Sequence, residues 1–280
     1  RADAFSKAKE PYIGYDITSP KALFLREMMK GSDVSTGPIK ILLYRPKGSG
    51  GKKATVTSGA LTITALYEGI RGNDISIIVQ EQADHAGAFD VSTVIDGTIV
   101  DEQTIKKLDD LKENAWVTFD GTGADITETA GVILAGGTDP AISSSDYAAF
   151  LTAIEPYRFD ILVYDGTDDT AIQAIAAFVK RVSNSIGQKC QAVMANAHTV
   201  NSEWVISVNN GVKLSDGTVL TAQQATWWLG GAEAGARYNQ SLTYAQYPDA
   251  VEANPKLTDG QITAAIQSGE IVFIDTFGSV

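Results

Sequence analysis

The 280-residue chain has a single cysteine, Cys190, and only two histidines, His85 and His198. One thiol forms no internal disulfide, so the fold must stand on its own core. The two imidazoles and the thiol show no zinc-ligand spacing, neither histidine belongs to HExxH, and no GxSxG elbow is present. Positive charge is scarce as well, with 22 Lys and Arg against 34 Asp and Glu and a formal net charge of -12. That balance argues against nucleic acid or an anionic membrane as partner. No apolar run approaches the roughly 20 residues that a spanning helix needs, so membrane insertion by this chain is not expected. The opening RADAFSKAKEPYIGYD has neither an initiating Met nor the apolar centre of a signal peptide, and it reads as the start of a fragment.

What is present is a globular composition, 44% hydrophobic and 20% charged. SPKALFLREMMK (19–30) predicts a short amphipathic helix with Ser19 as cap and Pro20 in its first turn. PIKILLY (38–44) predicts a strand buried on both faces. Residues 47–53 then read as a Gly/Ser/Lys linker. From 54 to 137 short Thr/Val/Ile-rich runs predict strands, interrupted by one expected helix over Asp101–Glu113, where Ile105, Leu108 and Leu111 recur along one face. From Ser143 onward helices and strands alternate: helices to Pro156, over 168–187, 221–236 and 258–267, and strands at FDILVYDGT, KCQAVMANA, WVISVNNGVKL and EIVFID. Strand, helix and strand within about forty residues form a right-handed parallel crossover. The expected fold is therefore α/β: a split domain, residues 1–46 and 138–280, with a parallel sheet and flanking helices, and an inserted mainly-β domain over 54–137. Three domains in series is the alternative organisation. Four Asp-Gly-Thr triplets, at Asp96, Asp120, Asp165 and Asp216, have no fixed period and read as turns.

Few motifs in the sequence carry chemistry. PKGSGGKK fails the phosphate-loop pattern because Pro46 stands where Gly is needed and Lys53 where Ser or Thr is needed. ILVYDGTDDT resembles the strand end of haloacid-dehalogenase-type phosphotransferases, but Val163 occupies the place of the nucleophilic aspartate and cannot attack phosphorus. Asp165, Asp168 and Asp169 suit a helix N-terminus as well as a cation. Cys190 reads as a buried inert thiol, and His198 follows a strand, where a parallel-sheet enzyme would place a catalytic group. Trp227 and Trp228 precede the small-residue run LGGAEAGAR, which permits close packing within or between subunits; with Arg237 they are candidates for a subunit contact. No catalytic, cofactor or metal residues are assigned.

One stretch remains, EGIRGNDISIIVQ (68–80). Gly69 and Gly72 are expected to take backbone angles closed to other residues, and Asn73 and Asp74 to bond within their own turn, so that the strand from Ile75 enters its sheet in fixed register. This glycine-asparagine turn resembles one in the sheath proteins of contractile bacteriophage tails and related bacteriocin-like particles. LAGGTDP (134–140), DYAAFLTAIEPYRFDILVYDG (146–166), WWLGGAEAGARYNQSLTY (227–244) and ITAAIQSGEIVFID (262–275) resemble the same family in the same order. The resemblance implies a non-enzymatic subunit, part of a virion or tailocin-like particle assembled in the bacterial cytoplasm. It would polymerise with copies of itself as stacked hexameric rings around a tail tube protein, meet baseplate and tail terminator proteins, and contract to drive the tube through an envelope. The family's α/β domain is described as subtilisin-like, yet this sequence shows no matching triad. Family members continue past the GEIVF strand into a C-terminal domain, so the fragment is expected to lack it and to be mostly monomeric. Two other readings stay open: a carbohydrate-binding or cell-surface β module on an α/β scaffold, and a hydrolase or phosphatase with a site near Asp165 and His198.

Overall fold

The computed structural model describes residues 10–123, 125–276 and 280, and it divides into two compact units. The β-rich unit contains residues 46–143 together with the described stretch 10–14, whose residues 10–13 form the short helix α1 (Glu10–Ile13). Its strands are β1 (Lys53–Ser58), β2 (Leu61–Glu68), β3 (Ile75–Glu81), β4 (Phe89–Ile95), β5 (Thr98–Ile105), β6 (Val117–Asp120) and β7 (Thr129–Ile133). They form two antiparallel sheets, ordered β1-β2-β6 and β5-β4-β3-β7. Burial alternates along β2 and β3, as period-two side chains require when one face is covered. Ile63 and Ala65 from one sheet and Ile77, Val79 and Val91 from the other thus share a single core with Trp116 and Leu134.

The β4–β5 hairpin turns on Asp96 and Gly97, both at positive φ (50° and 76°), the turn expected of an Asp-Gly pair. That hairpin corrects the helix expected over Asp101–Glu113. Residues 98–105 pair with β4, Asp101 opposite Thr93, and only Leu108–Asp110 form a single 3-10 turn. Ile105 and Leu108 do reach the core, at 3% and 4% exposure. Their spacing is apolar on one face in either geometry, and the tight turn before them decides for the strand.

The expected linker over 47–53 is tied down as well. Ser49 pairs with Ala141 and Lys52 with Thr138 in antiparallel bridges, so the segments entering and leaving the unit lie side by side.

The α/β unit comprises residues 15–45 and 144–280. Its parallel sheet has the order β14-β10-β9-β8, from β8 (Ile161–Tyr164), β9 (Gln191–Ala195), β10 (Val205–Val208) and β14 (Glu270–Ile271). Helix α3 (Ser144–Ile154) precedes β8, and α4 (Asp169–Arg181) makes the crossover to β9. Successive residues of β9 point to opposite layers. Ala192 and Met194 pack with Ile172, Ile175 and Val179 of α4 on one face. Val193 packs on the other with α5 (Ala222–Gly235). Helix α2 (Leu23–Met29) joins α5 on that side. A small antiparallel sheet, β12-β11-β13, is formed by β11 (Gly211–Leu214), β12 (Val219–Leu220) and β13 (Ala250–Asn254), and α6 (Asp259–Gln267) leads into β14. Helices α5 and α6 open on the expected capping boxes, Thr221 with Gln224 and Thr258 with Gln261.

One expected strand of this unit does not form. Residues 38–44 enter no sheet, and Ile39 is 90% exposed. High β-propensity describes fit to a half-buried pleated surface; without a neighbouring ladder an apolar run does not become a strand.

Candidate functional site

The turn between β2 and β3 is a 3-10 turn over Ile70–Asp74. Gly69 opens it at φ 128°, ψ 163°, a region that only glycine occupies readily. Gly72 is needed for a different reason from the one expected: it has no positive φ, but a Cβ there would sit 2.8 Å from the Cβ of Ala54 and 3.0 Å from that of Ala65. Asn73 also acts otherwise than expected. Its side chain donates to the carbonyl of Gly137 (3.0 Å) and accepts from the Gly137 amide (2.8 Å), bracing the exit segment rather than its own turn. Asp139 completes this bracing by accepting from the Ile70 amide at 2.9 Å.

Arg71, between the two glycines, is the residue that sequence reasoning missed. Its Nε donates to the carbonyl of Gly14 at 2.5 Å, Nη1 to Asp74 at 3.0 Å and to Asp96 at 3.1 Å, and Nη2 to Asp96 at 2.6 Å. Burial alone would lower the guanidinium's pKa, but the bonds to Asp96 and Asp74 carry it above its ordinary value. The same bond from Arg71 holds the Asp96 carboxyl below the usual range. The turn therefore joins the 10–14 segment, the entry and exit segments and the β4–β5 hairpin of one unit. The available signal was a basic residue flanked by glycines and followed by Asp74 three residues on, a spacing that pairs within one turn.

In the α/β unit the acidic strand end is already occupied. Asp165 accepts from the indole Nε1 of Trp227 at 2.8 Å, and Asp168 caps α4 by accepting from the Thr170 amide at 2.9 Å. Among the described residues no group of His, Cys, Asp and Glu is arranged to hold a metal ion. His198 Nδ1 lies 3.1 Å from Oε1 of the buried Glu270, which also accepts from Ser207 Oγ (3.2 Å) and Asn209 Nδ2 (2.7 Å). The Ser207 hydroxyl gives its hydrogen to the carboxylate and accepts from the Ala197 amide. It is therefore not poised on an imidazole, and the group orders the ends of β9, β10 and β14. Cys190 is 3% exposed, and burial raises the pKa of its thiol.

Of the candidate contact residues, Trp228 is internal. It is 2% exposed, stacks on Tyr247 at 4.3 Å between ring centroids, and donates to the carbonyl of Gly31 at 2.5 Å. The small-residue run serves the same packing: a Cβ on Gly231 would fall 1.9 Å from the carbonyl oxygen of Met28, and one on Gly235 2.3 Å from that of Gly37. These close approaches lie inside the unit. Trp227 is half-buried and held by Asp165, whereas Arg237 is exposed just beyond α5.

Comparison with known proteins gives the same two parts. Residues 49–139 match the phage tail sheath protein beta-sandwich domain, and residues 141–280 match the phage tail sheath protein central domain. The phage-like element PBSX protein XkdK of Bacillus subtilis is 38% identical and the uncharacterized protein YqbK of the same organism 37%, each over 93% of this chain. The chain spans 58% of the length of either relative. Among solved structures, the sheath tail protein from Desulfitobacterium hafniense superposes with a TM-score of 0.89 at 43% identity, covering 97% of this chain and 63% of that one. The sheath tail protein from Listeria innocua superposes at 0.82 with 31% identity, covering 99% and 62%. With both domains matched in order along the sequence, the chain belongs to the phage tail sheath protein family.

Proposed function

We propose that this chain is part of a structural subunit of a contractile tail sheath, one that polymerises around a tail tube and shortens to drive the tube through a bacterial envelope. The observation that carries the reading is the pairing, on one chain, of the sheath β-sandwich domain and, after it, the sheath central domain. No catalysis is invoked. The work of contraction comes from subunit contacts that differ between two packings, as in other bistable assemblies. Copies of the same subunit are the principal partner, in stacked hexameric rings; the tube, baseplate and tail terminator proteins are the others. In this reading the isolated chain is mostly monomeric.

Negative-stain electron microscopy of the full-length protein at several concentrations tests this. Uniform hollow tubes are the expected result, with residues 1–280 alone remaining dispersed in sedimentation. Dispersed full-length particles at every concentration would overturn it.

A further inference from the structure

We infer that the exposed loop 237–244, carrying Arg237, Tyr238 and Tyr244, is a contact surface for a second copy of this chain; the inference rests on the sheath reading above and names a surface that the polymer uses. The loop leaves α5 and returns at Tyr247, which is buried against Trp228. Between those anchors it is pinned rather than loose. Gln240 accepts from the Arg237 amide at 2.9 Å and donates to the carbonyl of Val34, while Ser241 bonds Thr243 by side chain and backbone. The Gln246 amide is held by Asp33 at 2.9 Å.

On this fixed backbone the two largest side chains face outward. Tyr238 is fully exposed and Tyr244 is 90% exposed. Tyrosine and arginine are enriched at protein-binding surfaces, and antibody loops combine Tyr with Ser and Asn: the rings supply contact area at low entropic cost and the short polar residues supply adaptable hydrogen bonds. A pinned loop has also lost its ordering entropy before binding.

Charge selects the occupant. Arg237 is the only basic residue between Lys213 and Lys256, against four acidic ones, Asp216, Glu233, Asp249 and Glu252, in a chain of net charge -12. A second copy presents a predominantly acidic surface to that isolated guanidinium. A neutral glycan would leave the charge unused.

The test uses Tyr238→Cys in the full-length protein. Cys190 is buried, so the new thiol is the reactive site within these residues; a Cys190→Ser version keeps the readout clean. Maleimide labelling is followed before and after assembly, alongside Arg237→Glu and Arg237→Lys variants. The expected result is rapid labelling of dispersed subunits, labelling at least about tenfold slower in tubes, and a threshold concentration for tubes raised about tenfold by Arg237→Glu but not by Arg237→Lys. Equal labelling in tubes and in subunits would overturn the inference while leaving the sheath reading intact. Slow labelling of dispersed subunits would overturn it too, because the loop would then be covered within its own chain. A wild-type protein that forms no tubes removes the sheath reading and this inference with it.

Discussion

Arg71 and Asp96 meet through two parallel bonds, Nη1 to Oδ1 at 3.1 Å and Nη2 to Oδ2 at 2.6 Å, which lock the β4–β5 turn onto the turn that opens β3. The Arg71 side chain is 17% exposed and that of Asp96 66%, so solvent screens much of the attraction. Asp96→Asn is expected to cost about 0.5–1 kcal/mol. Arg71→Met also strands the Gly14 carbonyl and Asp74, and is expected to cost about 1–3 kcal/mol. The pH dependence follows from the lowered pKa of Asp96. Its contribution is complete above the unfolded carboxyl value of about 4 and disappears as pH falls through the lower folded value. Urea titrations of wild type and Asp96→Asn at pH 7 and at a series of acidic pH values check this; the two curves should differ at pH 7 and draw together as the pH falls.

Gly72 and Gly137 are sterically closed positions. A Cβ on Gly137 would lie 2.4 Å from the carbonyl oxygen of Gly69, and one on Gly72 would press on the Cβ atoms of Ala54 and Ala65. None of these neighbours is the end of a flexible side chain. Each Gly→Ala change is expected to destabilise the β-rich unit by about 1–3 kcal/mol. Gly97→Ala is the control: a Cβ there meets nothing, and only its φ of 76° opposes the change, at about 1 kcal/mol. Thermal unfolding of the three variants should rank Gly97→Ala as the mildest.

The sequence made the alternation of the α/β unit legible because caps, apolar periods and turn residues agreed there, as at Thr221 and Thr258. Where a local pattern fits two geometries, only the partner decides. Ile105 and Leu108 reach the core from a strand and a following turn, although their spacing reads as a helix, and Ile39–Tyr44 has the apolar run of a strand but no ladder to join. The site followed the same division. Gly69 was legible as a backbone requirement, since its φ is a local property. Of the Arg71 partners only Asp74, three residues on, was within reach of a local reading; Asp96 lies 25 residues downstream and Gly14 57 upstream, and the Gly137 partner of Asn73 lies 64 downstream.

Tyr247 and Glu27 form a buried pair in which removing the phenol hydroxyl leaves a buried carboxylate one donor short. The Tyr247 hydroxyl donates to Glu27 Oε2 at 2.8 Å, Lys30 Nζ lies 2.9 Å from Oε1, and Glu27 is 1% exposed. Burial and the neighbouring carboxylate both raise the phenol's pKa, which keeps it a donor at neutral pH. Tyr247→Phe keeps the stacking on Trp228 and removes one donor from the carboxylate. The expected loss is about 1–3 kcal/mol, read as a lower urea midpoint with an unchanged slope. Because the two residues share this bond, Tyr247→Phe combined with Glu27→Gln should cost less than the sum of the two single changes, even though Glu27→Gln also gives up the ion pair to Lys30; a double variant less stable than that sum would contradict the pairing.

Cys190 supplies a probe for the core of the α/β unit. Its sulfur is enclosed by α4 and β9, with Ser183 Oγ at 3.6 Å, and burial moves its pKa upward. Attack on a disulfide reagent requires both access and thiolate, and each is suppressed here. The native chain is therefore expected to leave Cys190 unreacted with an aromatic disulfide at pH 8 and to release one equivalent of thiolate once denatured. A fast native reaction would contradict the burial of Cys190. A slow reaction whose rate is independent of reagent concentration would instead report how often α4 lifts from the sheet. Ile175→Ala, which empties a fully buried position on that helix, should then accelerate it by about tenfold or more, since a cost of about 2–5 kcal/mol favours the open state.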